Sequence, residues 1–236
     1  MAVQEKKHAL VTGTSSGIGL AIAQTLLDKG WQVSGLDLAP PQLVHPAFSS
    51  LQVDLCDAAA TAQAVQTVHE AGNVQALVHA AGVLRVGRLG TLSDEDSALM
   101  WRLHVDAATR LANQVVPAMA QAGSGRVVLI GSRVSGGMPG RSQYAATKAA
   151  LVALARSWAA ETAARGVTVN VIAPAATETA MLADPARVSA TPKLPPLGRL
   201  IRPAEIAALA CFLLSADAAA ITGQEIQVCG GASLAM

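Results

Sequence analysis

The segment Ala9-Leu10-Val11-Thr12-Gly13-Thr14-Ser15-Ser16-Gly17-Ile18-Gly19 joins an aliphatic run to a glycine turn. This order predicts a buried strand, a tight turn and a helix that begins near residue 17. Glycine adopts positive φ and lets backbone approach a ligand closely, and the free N–H groups at a helix start favour a pyrophosphate. We therefore expect a dinucleotide to bind here, against Gly13, Ser15, Ser16, Gly17, Ile18 and Gly19.

A carboxylate follows at the end of the next predicted strand. Asp37, in Leu36-Asp37-Leu38, lies eighteen residues after Gly19. A carboxylate at this point can accept hydrogen bonds from both ribose hydroxyls of an adenosine and would repel a 2′-phosphate. We therefore predict NAD as the cofactor. The alternative is that Asp37 only stabilises a turn.

Short aliphatic runs alternate with longer helical stretches along the chain, which is typical of βαβ units that build a parallel sheet. We predict an α/β fold: a Rossmann-type doubly wound parallel sheet of about seven strands, with helices on both faces, in a single domain over 1–236. The predicted strands are 8–12, 31–36, 50–54, 75–80, 126–131, 167–172 and 224–229. The predicted helices are 17–29, 57–71, 94–122 (kinked or broken), 142–165 and 203–214.

Composition narrows the classes of function. The 236 residues carry a formal net charge of +1 with 14% charged residues, so neither nucleic acid nor a membrane is expected as a partner, and a small-molecule substrate is. The three cysteines show no Cys-x-x-Cys spacing, so no disulfide framework or metal site is expected. The N-terminus has no signal-peptide pattern and no apolar run approaches membrane-spanning length, so we expect a cytoplasmic protein.

The only tyrosine of the chain, Tyr144, precedes Lys148 by four residues in a strongly helical segment, with Ser132 upstream. Residues at i and i+4 share one helix face, so the lysine ammonium can lie beside the phenol and favour the phenolate. A phenol held in this way is suited to proton exchange near neutral pH. Taken alone, such a pair is more often an ordinary feature of a helix surface; the glycine turn supports the catalytic interpretation.

Together these motifs resemble the short-chain dehydrogenase/reductase family over essentially the whole chain and in the family's order. The resemblance rests on Thr12-Gly13-x-x-x-Gly17-Ile18-Gly19, Asp54, Ala80-Ala81-Gly82, Ser132, Tyr144-x-x-x-Lys148, and Pro174 with Thr179. It implies a nicotinamide cofactor and hydride transfer between that cofactor and a carbinol or carbonyl carbon. It also implies that Tyr144 is the general acid/base, that Ser132 holds the substrate oxygen, and that Lys148 binds the nicotinamide ribose.

The resemblance extends the cofactor site to further positions. It implies that Asp54 and Leu55 flank the adenine, that Ala81 and Gly82 line the cofactor, and that Pro174 to Thr179 hold its nicotinamide end. The whole additional set is Leu38, Asp54, Leu55, Ala80, Ala81, Gly82, Tyr144, Lys148, Pro174, Ala175, Thr177 and Thr179.

Two histidines depart from the family pattern. His104 stands where the family usually has an asparagine that helps to pass protons to the lysine through water, and His79 replaces the first asparagine of the turn before Gly82. A histidine can also relay protons, so we count His104 among the catalytic residues; alternatively it satisfies backbone groups inside a helix bend. Ala175 replaces the usual glycine after Pro174.

A weaker resemblance concerns the substrate. Residues 82–87, 177–181 and 196–203 resemble stretches of 2,3-dihydro-2,3-dihydroxybenzoate dehydrogenases, which implies a cyclic dihydrodiol carboxylate. An arginine near the site can hold a carboxylate by a bidentate pair; the predicted substrate residues are Arg85, Arg133, Arg141 and Met181, and Arg88 lies on a neighbouring segment. The proline-rich segment 185–203 is predicted to be a lid or a surface connection.

Other functions remain open. Polyol, hydroxyacid and 3-oxoacyl dehydrogenases or reductases share these motifs, as do catalytically silent NAD-binding proteins and non-redox isomerases, dehydratases or epimerases on this fold. Helices near 103–120 and 142–160 carry excess apolar surface, which predicts a homodimer or homotetramer. The residues on which we base this prediction are Leu151, Val152, Leu154, Ala155 and Trp158.

Overall fold

A computed structural model describes residues 6–182 and 194–234 of the chain. Seven strands form one parallel sheet in the order β3-β2-β1-β4-β5-β6-β7. This arrangement confirms the predicted fold class, and every strand overlaps its predicted range. The strands are β1 His8–Thr12, β2 Gln32–Asp37, β3 Phe48–Gln52, β4 Ala76–His79, β5 Gly125–Ile130, β6 Val167–Pro174 and β7 Glu225–Val228.

Helices cover both faces of the sheet. On one face α1 and α6 pack over β1, β4 and β5 through residues such as Ile22 and Ile206. On the other face α2, α4 and α5 form the second core with residues such as Val65, Leu111 and Leu151. The helices are α1 Gly17–Asp28, α2 Ala58–Glu70, α3 Asp94–Trp101, α4 Ala107–Gln121, α5 Ser142–Thr162 and α6 Pro203–Leu213.

The long helix predicted over 94–122 is interrupted, as expected. Between α3 and α4 lies one π-helical turn, Arg102–Asp106, which we call the wide turn. The N–H of Ala107 donates to the carbonyl of Arg102, five residues back rather than four. The insertion bulges the backbone at His104, and insertions of this kind are frequent at functional sites.

The order of the strands fixes the place where a ligand can bind. β1 pairs with β2 on one side and with β4 on the other, so the connections leave in opposite directions at this point. In doubly wound sheets the resulting crevice, beyond the carboxyl ends of the strands, is the binding site. Here the crevice is bounded by the turns that follow Thr12 and His79.

The orientation of α5 about its own axis contradicts part of the interface prediction. Leu151 and Ala155 are fully buried in the core of this chain, because they lie on the helix face that packs on the sheet. Only the half-buried Val152, Leu154 and Trp158 remain for contact with a partner. Among the described residues no helix is both long and apolar enough to cross a membrane.

The predicted lid, 185–203, lies partly outside the described residues, which resume at Leu194. Its last part rests on the chain's C-terminal turn: Leu197 N–H donates to Gly230 O at 3.0 Å. A Cβ at Gly230 would lie 3.1 Å from Pro195 Cβ. The base of this segment is therefore held close to the end of β7.

Candidate active site

A cleft of about 660 Å³ opens at the carboxyl ends of the central strands. Residues from the glycine turn, from the segments after β4, β5 and β6, and from the start of α5 line this cleft. Its predicted lining residues are Ile18, Ala80, Gly82, Ser132, Arg133, Arg141, Tyr144, Lys148, Pro174, Ala175, Thr177, Thr179 and Met181. The cleft thus contains three of the four predicted catalytic residues, three of the four predicted substrate residues and nine of the nineteen predicted cofactor residues.

The glycine turn has the geometry that a pyrophosphate needs. Gly13 and Gly17 adopt φ of +74° and +56°, which side chains other than glycine rarely allow. A Cβ at Gly19 would overlap the carbonyl of Gly13, so the first turn of α1 packs directly on the loop. Ser16 precedes α1 without capping it by its side chain, and the first turn carries no acidic residue. The N–H groups at this helix start are therefore suited to an anion.

Asp37 lies beside this turn. Its Oδ2 accepts a hydrogen bond from Ser15 N–H at 2.8 Å, and its Oδ1 accepts one from Ala39 N–H at 2.9 Å. Each carboxylate oxygen keeps further acceptor capacity. The carboxylate is thus oriented by the backbone of the loop on which a dinucleotide would lie, at the end of β2.

Thr12 connects the glycine turn to the turn after β4. Its Oγ1 accepts hydrogen bonds from Ala80 N–H and Ala81 N–H, both at 3.0 Å. A Cβ at Gly13 would lie 3.0 Å from Ala81 N, so the two turns touch. Sequence reasoning treated Thr12 only as part of a motif, although its position at the end of β1 marks it as a neighbour of this turn.

Ser132, Tyr144 and Lys148 share one wall of the cleft. Ser132 follows β5 in extended backbone, and Tyr144 and Lys148 lie one helical turn apart at the start of α5. Lys148 Nζ lies 5.6 Å from the centre of the Tyr144 ring. The lysine and phenol are therefore neighbours, as the sequence predicts.

Lys148 is almost completely buried. Its Nζ donates a hydrogen bond to Ile130 O at 2.9 Å. Burial lowers the pKa of Lys148 to about 7, because a charged group loses hydration in this environment. The ammonium consequently titrates near neutral pH, and an anionic neighbour such as a phenolate would favour its charged form.

His104 lies in the wide turn, against Tyr144, but its ring nitrogens are occupied by the protein. Nε2 accepts from Val83 N–H at 3.0 Å, and Nδ1 lies 2.8 Å from Thr147 Oγ1. Burial, with Lys148 nearby, lowers the pKa of His104 well below its usual value. Both ring nitrogens thus have protein partners and the side chain is buried, so this geometry favours the alternative in which His104 satisfies groups inside the helix bend; its role as a proton relay remains a prediction.

Not every arginine that was predicted to bind the substrate lines the cleft. Arg133 and Arg141 line the cleft, as predicted, and so does Arg88. Arg85 does not; its guanidinium lies 3.4 Å from Asp96 of α3 and donates to Leu84 O. The structure therefore does not bring Arg85 into the cleft, because this side chain pairs with the carboxylate of the following helix.

The predicted adenine residues lie at the edge of the site. Asp54 is exposed, and its Oδ1 accepts from Cys56 N–H at 2.8 Å. Leu55 is buried in the core, so only its backbone is available to an adenine, whereas Leu38 is 66% exposed. Exposed Leu38 can cover an adenine face from the end of β2.

Several residues of the cleft were not predicted, because they belong to no sequence motif. They follow the carboxyl ends of β4, β5 and β6, and that position was the available signal. They are Leu84, Gly131, Val134, Met138, Pro139, Ala176 and Leu182. Among the described residues no group of three or more metal-binding side chains occurs.

Comparisons with known proteins identify relatives that match almost the whole chain. Residues 13–233 match the profile of a family described as enoyl-(acyl carrier protein) reductase. The chain is 37% identical to the 3-oxoacyl-(acyl-carrier-protein) reductase FabG of Escherichia coli, over 96% of this chain and 97% of that protein. It is also 37% identical to 2,3-dihydro-2,3-dihydroxybenzoate dehydrogenase of Escherichia coli, over 97% of each. The solved structure of Thermoplasma acidophilum aldohexose dehydrogenase superposes with a TM-score of 0.89 at 25% identity, over 98% of this chain and 95% of that one.

The parallel sheet, the glycine turn at its switch point and the Ser132, Tyr144 and Lys148 wall form the arrangement expected of a nicotinamide-dependent oxidoreductase. With the matches above, the chain belongs to the short-chain dehydrogenase/reductase family.

Proposed function

We propose that this protein is an NAD-dependent oxidoreductase that transfers a hydride between the nicotinamide and the carbinol carbon of a secondary alcohol, or the corresponding ketone. The observation that carries the proposal is the meeting of Ser132, Tyr144 and Lys148 with the glycine-turn residue Ile18 in one cleft. NAD, when bound, accepts or returns the hydride.

The chain's own residues handle the proton. Tyr144, as phenolate, takes the hydroxyl proton of the alcohol while the carbinol C–H bond breaks. The Ser132 hydroxyl holds the substrate oxygen by a hydrogen bond. Lys148, one helical turn from Tyr144, stabilises the phenolate through its positive charge.

The preference for NAD rests on Asp37 and Ser16. The Asp37 carboxylate is fixed by Ser15 N–H and Ala39 N–H, and its remaining acceptor capacity suits the two hydroxyls of a ribose. A 2′-phosphate in the same place would meet a negative charge, and Ser16 offers no cation to balance it. Like-charge contacts of this kind cost several kcal/mol.

The substrate we propose carries a carboxylate, as a cyclic dihydrodiol carboxylate such as 2,3-dihydro-2,3-dihydroxybenzoate does. Arg88, Arg133 and Arg141 line the cleft together with Lys148, and none of the described residues that line it is acidic. Within the described ranges none of these three arginines forms an ion pair. Arginine binds a carboxylate bidentately, and the similarity to a dihydrodiol dehydrogenase supports the same class of substrate.

A 3-oxoacyl thioester is the second candidate substrate, because the similarity to FabG is as strong. The two are separated by absorbance at 340 nm. The dihydrodiol carboxylate should reduce NAD, whereas a 3-oxoacyl thioester should oxidise NADH or NADPH only slowly. A higher kcat/KM for the thioester with either cofactor would make the second candidate correct.

Arg141→Met should weaken binding of a carboxylate substrate. Arg141 is half-buried at the cleft, where a charge-assisted hydrogen bond contributes about 1.5–3 kcal/mol. We expect kcat/KM for the dihydrodiol carboxylate to fall by about tenfold to a hundredfold, with little change for its methyl ester. Arg85→Met is the matched control, since Arg85 lies on the neighbouring segment but points to Asp96; it should behave as wild type. Equal losses for acid and ester would reject the carboxylate contact.

We further propose that the protein acts in the cytoplasm as a homodimer or homotetramer. Trp158 of α5, with Val116 and Pro117 of α4, borders a surface hollow of about 200 Å³. A second copy related by closed symmetry would cover this face with the same face of its own. Three free cysteines are compatible with a reducing compartment.

Trp158→Glu should shift this assembly toward a smaller species, because it introduces a charge into the proposed interface. Light scattering coupled to size exclusion should give two or four times the chain mass for wild type and less for the variant. Trp101→Glu, at an exposed position on α3, is the control and should not dissociate the protein. A wild-type monomer at all concentrations would reject the interface.

A further inference from the structure

His79 is a buried histidine at the end of β4 that takes no part in the reaction described above. Only 1% of its surface is exposed. Its Nδ1 lies 3.0 Å from Thr12 Oγ1, and its Nε2 lies 3.1 Å from Leu103 O in the wide turn. The ring therefore bridges β1 and the interruption between α3 and α4.

The partners of His79 fix its proton. A carbonyl can only accept, so Nε2 must carry the hydrogen that it donates to Leu103 O. Thr12 Oγ1 already accepts hydrogen bonds from Ala80 N–H and Ala81 N–H, which use both of its lone pairs. The Thr12 hydroxyl must therefore donate its own hydrogen to His79 Nδ1. His79 is consequently neutral, in the Nε2–H tautomer.

His104 is fixed in the opposite tautomer. Val83 N–H donates to its Nε2, so that nitrogen carries no hydrogen. Nδ1–H therefore donates to Thr147 Oγ1. The Thr147 hydroxyl in turn donates to the backbone carbonyl of Tyr144 at 2.8 Å. The His104 ring also lies edge-on to the Tyr144 ring, with centres 5.7 Å apart, and a Cβ at Gly82 would lie 3.0 Å from His104 Nε2.

The wide turn explains why both rings are needed. Because Ala107 N–H reaches back to Arg102 O, Leu103 O loses the donor that an α-helix would give it, and His79 Nε2–H supplies another. His104 then joins the same turn to the backbone of Val83 and to α5. Two side chains thus connect the wide turn to the turn at residues 80–83 and, through Thr147, to the backbone of Tyr144.

We propose that His79 and His104 are a pair of positioning residues. As two neutral imidazoles of opposite tautomer, they hold Tyr144 and the turn at residues 80–83 in fixed positions relative to each other. The part of this proposal that concerns turnover rests on the proposed function; the part that concerns protonation does not. Burial lowers the pKa of His79 to about 3 and that of His104 well below its usual value, and the charge of Lys148, which faces both rings, lowers both further. His79 also lowers the pKa of His104, whereas the backbone groups of Leu103 and His104 raise that of His79.

The protonation states can be read without any substrate. We suggest ¹⁵N spectra of the imidazoles of the full chain, which has five histidines, with signals assigned through His79→Asn and His104→Asn. We expect His79 as the Nε2–H tautomer and His104 as the Nδ1–H tautomer, with no titration of either between about pH 5.5 and 8, where an ordinary histidine titrates. A titration in that range, or the exchanged tautomer for either ring, would overturn the proposal.

The turnover number, kcat, of His104 variants provides the second test of the proposal. Asparagine keeps one acceptor and one donor, so His104→Asn should retain kcat within about tenfold, whereas His104→Leu leaves Val83 N–H unpaired and should lose about tenfold more. The dependence of kcat on pH should be the same in wild type and His104→Asn. His69→Asn, at an exposed position on α2, is the control. An acid limb of the profile that disappears in His104→Asn would mean a proton relay and would overturn the proposal.

Discussion

Tyr144→Phe should lower kcat by at least about a hundredfold, which is the low end of what general acid–base catalysis contributes. The substitution removes one oxygen and leaves the ring, which packs edge-on against His104. It also removes the only phenol of the chain, so no second tyrosine is available to take the proton. The loss should appear in kcat rather than in KM, because the phenolate acts on the proton that moves in the transition state.

NADH titration by fluorescence is the control for this variant. Lys148 and the glycine turn remain intact, so the Kd for NADH should stay within about threefold of wild type, a change below 1 kcal/mol. Turnover within a factor of a few of the wild-type rate would show that Tyr144 is not the acid/base.

Wild-type protein should favour NAD over NADP by roughly a hundredfold or more in kcat/KM. Asp37 is already tied to Ser15 N–H at 2.8 Å, so the carboxylate cannot turn away from a 2′-phosphate without losing this hydrogen bond. Several kcal/mol of like-charge repulsion corresponds to at least two factors of ten, at about 1.4 kcal/mol each. Asp37→Ala combined with Ser16→Arg should narrow or reverse the preference, because it removes the anion and adds a cation.

Asp37→Asn removes the negative charge and keeps part of the hydrogen bonding in this experiment. The single amide oxygen can accept from Ser15 N–H or from Ala39 N–H but not from both, so use of NADP should improve while use of NAD also falls. A wild-type preference for NADP, measured with the same substrate, would overturn the role of Asp37 and the interpretation of the end of β2.

The parts of the fold that could be predicted are those that depend on local patterns. Buried parallel strands are short apolar runs, so β1 and β6 were predicted to within two residues. The bulge at His104 could be predicted only as a kink, because its backbone geometry depends on His79, twenty-four residues from Leu103 in sequence. The assignment of Leu151 and Ala155 to an interface failed because a helix that is apolar on several sides does not reveal which side faces the sheet.

The same distinction holds for the site. Tyr144 and Lys148 are one helical turn apart, so the sequence predicts their proximity directly. Nothing local distinguishes Arg85 from Arg88; the difference is made by Asp96, which pairs with Arg85. Likewise, His104 is hydrogen-bonded to Thr147, forty-three residues away, and no local pattern indicates this contact.

Direct transfer of hydrogen tests the central claim. 2,3-Dihydro-2,3-dihydroxybenzoate, deuterated at both carbinol carbons, would be incubated with the protein and NAD, and the nicotinamide analysed by mass spectrometry. We expect each NADH formed to contain one deuterium, in step with the oxidised product. Product formation with NAD left oxidised, as an isomerase or dehydratase would give, or NADH free of deuterium, would contradict the account.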